Sequence, residues 1–348
     1  MSSEELSQMP AAATRGVGAL ARGIMPWVLR ALVVYALVVV VLMFYWSGEP
    51  EPFAPVKEAE RHASEQQRKL VPGYVSVHTA ITLADTLLHK NGGYLSNDVM
   101  PPGILMDNMP EWEFGVLQQL RDFSLALRND LSRSQTQSQD DVDLREAHPL
   151  LSFSNDRWIL PSTESQYGKA IEHLQAYLDR LSDDEDGNAQ FYARADNLVV
   201  YLQLVEKQLG SFSQRLSASV GQVRLNTDLT GDPSARQSTP GHQLVVTRTP
   251  WLQIDNEFYE ARGACYALIH LLKAVEHAFA PVLEDKNALV SLRQIIRELE
   301  NTQDAVWSPV ILNGGGFGFF ANHSLVMANY ISRASAALGD LRALLDRG

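Results

Sequence analysis

The sequence predicts an all-α protein: an N-terminal transmembrane helix followed by an extracytoplasmic antiparallel helical bundle with long heptad-patterned helices. Three observations predict it. Residues 31–46 (ALVVYALVVVVLMFYW) carry no charge. Downstream, apolar residues recur in alternating steps of four and three, the spacing that keeps one helix face against a partner. Strand candidates are few and short.

The apolar run comes first. Extended back to Trp27 across Arg30 it reaches the ~20 residues a helix needs to cross the hydrocarbon core, and the stem of Arg30 can snorkel to the headgroups. Trp27 at one end and Phe44, Tyr45 and Trp46 at the other resemble interfacial aromatic belts. Arg15, Arg22 and Arg30 precede the span and Glu49 and Glu51 follow it, so the positive-inside rule places residues 1–26 in the cytoplasm and the body outside. No A-x-A-like site follows the run, which argues for an uncleaved anchor (27–46) rather than a signal peptide. The short cytoplasmic tail puts the working part of the protein outside.

Residues 47–72 read as a polar stalk, helical around Pro55–Leu70. An N-terminal helical part (73–160) carries shorter apolar seams at Val77–Leu88 and Val116–Leu127. The C-terminal part (161–348) carries the longer ones. The clearest is Phe191, Ala195, Leu198, Leu202, Val205, Leu209, Phe212, Leu216, Ser219 and Val223, which predicts a helix over 188–225 of roughly 55 Å at 1.5 Å per residue. Further seams run through 258–282, 289–299 and 327–345. Pro and Gly clusters punctuate them, at Asn91-Gly92-Gly93, Pro101-Pro102-Gly103, Pro161, Gly187 and Pro240-Gly241. Trp158–Leu160 and Leu244–Thr247 are the strand candidates, and 226–243 reads as a long surface loop.

Composition excludes several functions. Hydrophobic residues make up 45% and charged residues 20% of the 348, ordinary globular values. The net charge of −12 gives a phosphate backbone nothing to bind, so no nucleic-acid partner is expected. Segment 1–46 holds three Arg and two Glu, which leaves 26 basic and 39 acidic side chains beyond it, net −13, so the body has no charge attraction for anionic lipid. The one cysteine, Cys265, excludes disulfide frameworks and CxxC metal sites and lies on an apolar seam as a buried thiol. No GxxxxGK[ST] or GxSxG is present.

Four patterns remain as candidate sites. Phe317, Phe319 and Phe320 stand on a glycine-rich backbone, and with Trp112 they suit a partner surface or a membrane interface. His78, Asp85 and His89 share a helical face with Thr82 and have donor types a divalent metal accepts, although the same set can simply be solvated; no cofactor is expected. Glu111 and Glu113 flank Trp112, and paired carboxylates can act on a glycosidic bond; two residues apart, they point in different directions, and acidic residues in a first turn also complement the helix dipole. Arg121, Arg128 and Arg133 can pair with Asp140, Asp141 and Asp143. His270, His277, Glu260 and Glu276 lack the ExxH spacing of a di-iron helix pair.

At Asn91-Gly-Gly-Tyr-Leu-Ser-Asn-Asp98, Asp107-Asn-Met-Pro-Glu-Trp-Glu-Phe-Gly115 and Arg133-Ser-Gln-Thr-Gln-Ser-Gln139 the sequence resembles an uncharacterised, domain-of-unknown-function family of single-span envelope proteins of Gram-negative proteobacteria. The resemblance covers nearly the whole chain. It implies an inner-membrane protein with a periplasmic body and brings no activity or catalytic residue. The expectation is a non-enzymatic binding or scaffold component that meets another envelope protein or a second copy of itself. The alternatives are an envelope glycan enzyme using Glu111 or Glu113 and a ligand-sensing bundle.

Overall fold

The structure, a computed structural model, describes residues 11–133, 139–183, 189–225, 244–308, 310–315 and 319–347. It is all-α, with one short antiparallel strand pair among the described residues: β1 (Gln222–Leu225) and β2 (Leu244–Thr247), in register from Gln222↔Thr247 to Leu225↔Leu244. The expected loop over 226–243 lies outside the described residues.

Helix α1 (Ala11–Trp46) contains Pro26, and its portion Met25–Trp46 is long and apolar enough to cross a membrane. The chain then runs extended to α2 (Pro55–Glu65), which starts on a proline whose missing N–H costs a first turn nothing. Ala59 and Ala63 of α2 are buried against α3 (Tyr74–His89) and α8 (Ile254–Ala278). The stalk segment expected over 47–72 is helical over Pro55–Glu65, and a small-residue face on this otherwise polar helix lets it lie flat on the body.

Helices α4 (Asn108–Ala126), α5 (Val142–Leu151) and α6 (Thr163–Leu181) follow. Each begins on a side-chain cap, from Asp107, Asp141 and Ser162, which satisfies N–H groups the helix cannot. The closest helix contact is α4 on α8. A Cβ at Gly115 would collide with the Glu260 carbonyl, and one at Gly263 with that of Trp112. Two glycines thus bring the backbones together and seal Trp112, packed on Tyr266, in the interior.

Helix α7 (Ala195–Ser217) is shorter than the predicted 188–225. Phe191 lies in an extended segment before it, where the Tyr192 N–H donates to the Leu131 carbonyl at 2.7 Å. Val223 belongs to β1, beyond Gly221 with φ +87°. Both keep the seam's period without being helical. Trp158–Leu160 forms no strand and is an exposed loop. Helices α9 (Ala280–Asp285), α10 (Leu289–Glu300) and α11 (His323–Asp346) complete the chain. Helix α11 runs antiparallel to α7: Ser213 Oγ donates to the Ala328 carbonyl at 3.3 Å, and Arg342 pairs with Glu206.

The buried core runs unbroken from Ala59 to Leu345, across the boundary between the two expected parts. Its centre is α8, buried on nearly every face between Phe258 and Val275.

Candidate functional site at the junction of the apolar helix and the body

A helix as enclosed as α8 should be apolar throughout, yet it carries Arg262, Tyr266 and His270, one turn apart on one face. Their partners are the residues that leave α1. The Arg262 guanidinium donates through Nε to both Glu49 carboxylate oxygens (2.7 and 2.8 Å) and through its other nitrogens to the carbonyls of Thr302 (2.9 Å), Asp304 (2.8 Å) and Gln303 (3.1 Å). The Tyr266 hydroxyl donates to the Glu51 carbonyl at 3.1 Å. His270 Nε2 accepts from the Phe53 N–H at 3.0 Å while its Nδ1 donates to the Tyr266 carbonyl at 2.7 Å. The Phe53 ring stacks on the imidazole, with centroids 4.1 Å apart.

Residues 49–53 therefore form a strap clamped along α8. The two hydrogen bonds of His270 demand the neutral Nδ1–H tautomer, and burial holds its pKa down at about 4. Just before the strap, Trp46 lies over Gly92, where a Cβ would fall 2.7 Å from the indole. Gly92 has φ +87°, so the residue that turns the chain after α3 also admits the tryptophan.

Beside this junction, Lys90 and Glu113 form an ion pair with both side chains out of solvent. The Glu113 carboxylate also accepts from the N–H groups of Leu95 and Ser96, each at 2.9 Å, and from Ser96 Oγ. Burial pushes its pKa up, against the pull of Lys90. Glu113 is thereby a fastener for the loop after α3. Glu111 faces α8 instead. It accepts from Asn256 Nδ2 at 3.2 Å and shares the neighbourhood of Glu257, Glu260 and Arg215. Arg215 holds Glu260 in a two-pronged pair (2.6 and 2.8 Å) and Glu257 at 2.6 Å. Burial raises the pKa values of both Glu111 and Glu257.

The carboxylate pair read from sequence is thus split, and Trp112 between them is fully buried, which corrects its assignment as a partner contact. The acidic cluster that does form takes two members from α8, and no spacing within the sequence relates them to Glu111.

His78, Asp85 and His89 do not converge. His78 is buried against His62 (ring centroids 4.6 Å apart), and burial with that neighbour lowers its pKa to about 4. Asp85 and His89 pair with each other on the surface at 2.8 Å. Among the described residues no three His, Cys, Asp or Glu side chains cluster to hold a metal ion. Cys265 is sealed in the core, its thiol pushed up to about 12 by burial. Of the expected arginine pairs, Arg128 and Arg133 meet Asp140, at 2.7 and 3.1 Å. Arg121 instead donates to the carbonyls of Leu151 and Phe153, both at 2.8 Å, and Asp141 and Asp143 go to Arg180.

Phe319 and Phe320 are exposed; Phe317 lies outside the described residues. Their loop is closed at its base by Asn322, whose Nδ2 donates to Asn313 Oδ1 (2.8 Å) and the Gly314 carbonyl (2.7 Å) while its Oδ1 caps α11 through the Leu325 N–H (2.8 Å). Asn97, in the loop after α3, caps no helix and donates to the Arg157 carbonyl and Glu164, both at 2.9 Å. A cavity of about 420 Å³ opens beside Trp307, walled by Phe258, Arg262, Leu312, His323 and Tyr330.

Asn91–Asp98 and Asp107–Gly115, two of the three segments that carried the family resemblance, meet through the Glu113 carboxylate; of the third, Arg133–Gln139, residues 134–138 lie outside the described residues. The chain belongs to the DUF2333 family. That family, described as an uncharacterized protein conserved in bacteria, matches residues 20–348, from within α1 to the last residue. No curated protein and no solved structure matches the chain.

Proposed function

We propose that this chain is a single-span inner-membrane protein of the bacterial envelope, N-terminus cytoplasmic, with a periplasmic antiparallel helical bundle that works as a non-enzymatic binding or scaffold component. Arg15 and Arg22 ahead of the apolar segment Met25–Trp46, Arg30 near its start, and Glu49 and Glu51 soon after it support that orientation. The observation that carries the reading is the strap. A cleaved leader has no use for Trp46 seated on Gly92, nor an enzyme on a loose tether for Glu49, Glu51 and Phe53 clamped to α8. A scaffold needs its body held in one pose relative to its anchor.

Two measurements test this. A membrane-impermeant thiol reagent applied to intact spheroplasts labels Val290→Cys, at an exposed position, if the body is periplasmic; labelling only after lysis overturns the topology. Photocrosslinking residues at exposed helix positions Val200 and Val290, activated in intact membranes, yield a discrete adduct with a protein or a second copy. Lipid adducts alone, or none, overturn the scaffold.

A second reading rests on the Glu111–Glu257–Glu260–Arg215 cluster, in which the Glu111 and Glu257 carboxyls, raised by burial, suit proton transfer. Glu113 is sealed, so a glycan-acting enzyme would have to use Glu111 with an α8 carboxylate. Glu111→Gln then abolishes function while leaving the unfolding midpoint unchanged.

A further inference from the structure

Large exposed apolar side chains are not spread evenly over the body. Outside α1, the exposed Trp and Phe residues among the described ones are Trp158, Trp251, Trp307, Phe319 and Phe320. Four of them lie on loops and Trp251 opens a 3₁₀ turn before α8, all at the end where α1 arrives, and hydrogen bonds and close contacts connect these segments. Asn97 ties the loop after α3 to Arg157, next to Trp158. The Ser96 hydroxyl reaches the Pro110 carbonyl at 3.4 Å, and Glu111 meets Asn256 on the first turn of α8, directly after Trp251. Arg262 binds the Thr302 and Asp304 carbonyls, just before Trp307. The Phe258 ring meets His323, at the foot of the phenylalanine loop.

The same loops expose Met100, Ile104, Leu105, Ile159 and Leu160, the last 91% open. The opposite end, where Gly73, Phe191 and Phe279 meet, buries or half-buries its aromatics.

Helix α1 supplies a second, independent observation. Most of its side chains from Met25 onward are open, but Val39 is 7% exposed and Leu42, Met43 and Trp46 are half-covered. These four fall at i, i+3, i+4 and i+7, one stripe of a helix. Part of the protein therefore lies alongside α1 for the ~10 Å that seven residues span, level with the apolar segment. On a helix crossing a bilayer, that depth is the headgroup and upper acyl region.

We propose that this end of the body is a second membrane-contact surface, in which the loops bearing Met100, Ile104, Trp158, Leu160, Trp307 and Phe319 seat in the interface of the membrane that α1 crosses. The proposal rests on the anchor reading above. The occupant is lipid because the surface is continuous with the apolar helix and tethered to it. Its Trp, Phe, Ile and Leu content suits the boundary between headgroup and chain. With a body of net −13, attachment comes from apolar insertion rather than charge.

The test uses the full chain in phosphatidylcholine–phosphatidylglycerol vesicles. A fluorophore is placed on single cysteines at Val38→Cys, Leu160→Cys, Phe319→Cys and Val290→Cys, all exposed positions, while native Cys265 is sealed from the reagent. Nitroxide-labelled lipids then quench whatever they touch. The expected result is quenching at 38, loss of about half or more of the emission at 160 and 319, as for side chains ~5–10 Å into the interface, and no change at 290. Quenching at 38 with 160 and 319 behaving like 290 overturns the second contact and leaves the anchor standing. An unquenched but dehydrated probe at 160 and 319 shows that protein, such as a second copy, covers this end, and overturns it too. No quenching at 38 removes the anchor reading and this proposal with it.

Discussion

Arg262→Ala tests the strap most directly. The guanidinium has five acceptors: both oxygens of Glu49 and three consecutive carbonyls of the turn after α10. Removing it strands the buried Thr302 carbonyl, the part-buried acceptors at Gln303 and Asp304, and a carboxylate whose side chain is 22% exposed. Breaking a buried pair from one side costs ~3–5 kcal/mol; because Glu49 can rehydrate, the expected loss is at the low end, about 3 kcal/mol. At ~2–4 °C per kcal/mol for a domain of this order, the melting temperature falls by several degrees. Glu49→Gln keeps an acceptor for Nε and loses only the charge, about 1 kcal/mol. The double variant should cost clearly less than the sum of the singles, because the two residues act on one contact. The assay is thermal unfolding of the full chain in nanodiscs, paired with limited proteolysis across residues 47–53. If Arg262→Ala melts with wild type and its strap resists protease, the clamp contributes nothing and the fixed-pose argument fails.

Three further outcomes follow from the same geometry. His270 titrates at about 4 when folded and near 6.5 when unfolded, with burial as the main cause. The unfolded chain thus binds the extra proton, and stability present above pH 6.5 is lost as pH falls toward 4, by about 3 kcal/mol for this group; denaturant midpoints measured across that window show the slope, and His270→Gln, designed to accept from Phe53 and donate to Tyr266, lowers it while His78, also held down to about 4 by burial, keeps its own share. Lys90→Met leaves Glu113 charged, buried and unpaired, at a cost of ~3–5 kcal/mol, whereas Lys90→Met with Glu113→Gln recovers most of it in the same unfolding assay. Gly115→Ala drives a methyl into the Glu260 carbonyl and costs at least ~1–3 kcal/mol as an overpacked contact; Gly210→Ala, at a helical position with nothing within 4 Å, stabilises slightly by propensity, and a reversed order would refute the close approach of α4 and α8.

Which parts of this were legible in the sequence follows from what a period encodes. Steps of four and three identify the face a residue presents, so the cores of α7, α8, α10 and α11 were readable. They do not fix the backbone: Phe191 and Val223 keep the rhythm of α7 from an extended segment and a strand. Nor do they say which faces meet. The burial of Trp112 depends on Gly115 and Gly263 coming together from helices nearly 150 positions apart in the chain, and Glu111 finds its acidic neighbours on that second helix too. The strap did leave a trace: Arg262 and His270 interrupt a segment otherwise apolar on every side, and a buried arginine requires an acid partner. Nothing local names Glu49 as that partner.

The directions of the helices give the junction its meaning. Helices α4, α6, α8 and α11 begin at the end that meets α1, and α3, α5, α7 and α10 finish there. The connections that cross this end include 90–107, 152–162 and 301–322. These three carry Met100, Ile104, Trp158, Ile159, Leu160, Trp307, Phe319 and Phe320 in the open. An apolar surface of that composition is costly in water, and it lies at the end of the body reached by α1, among the described residues the one helix long and apolar enough to enter a membrane. On the reading of α1 as a membrane anchor, strap and loops address the same mechanical problem. A single helix fixes a body's distance from the bilayer but leaves its tilt free; Glu49, Glu51 and Phe53 clamped to α8 couple that tilt to the helix, and an apolar rim seated in lipid would fix it outright. A body so held can present its remaining polar faces at a constant height and angle, as a scaffold requires and a freely diffusing enzyme domain does not.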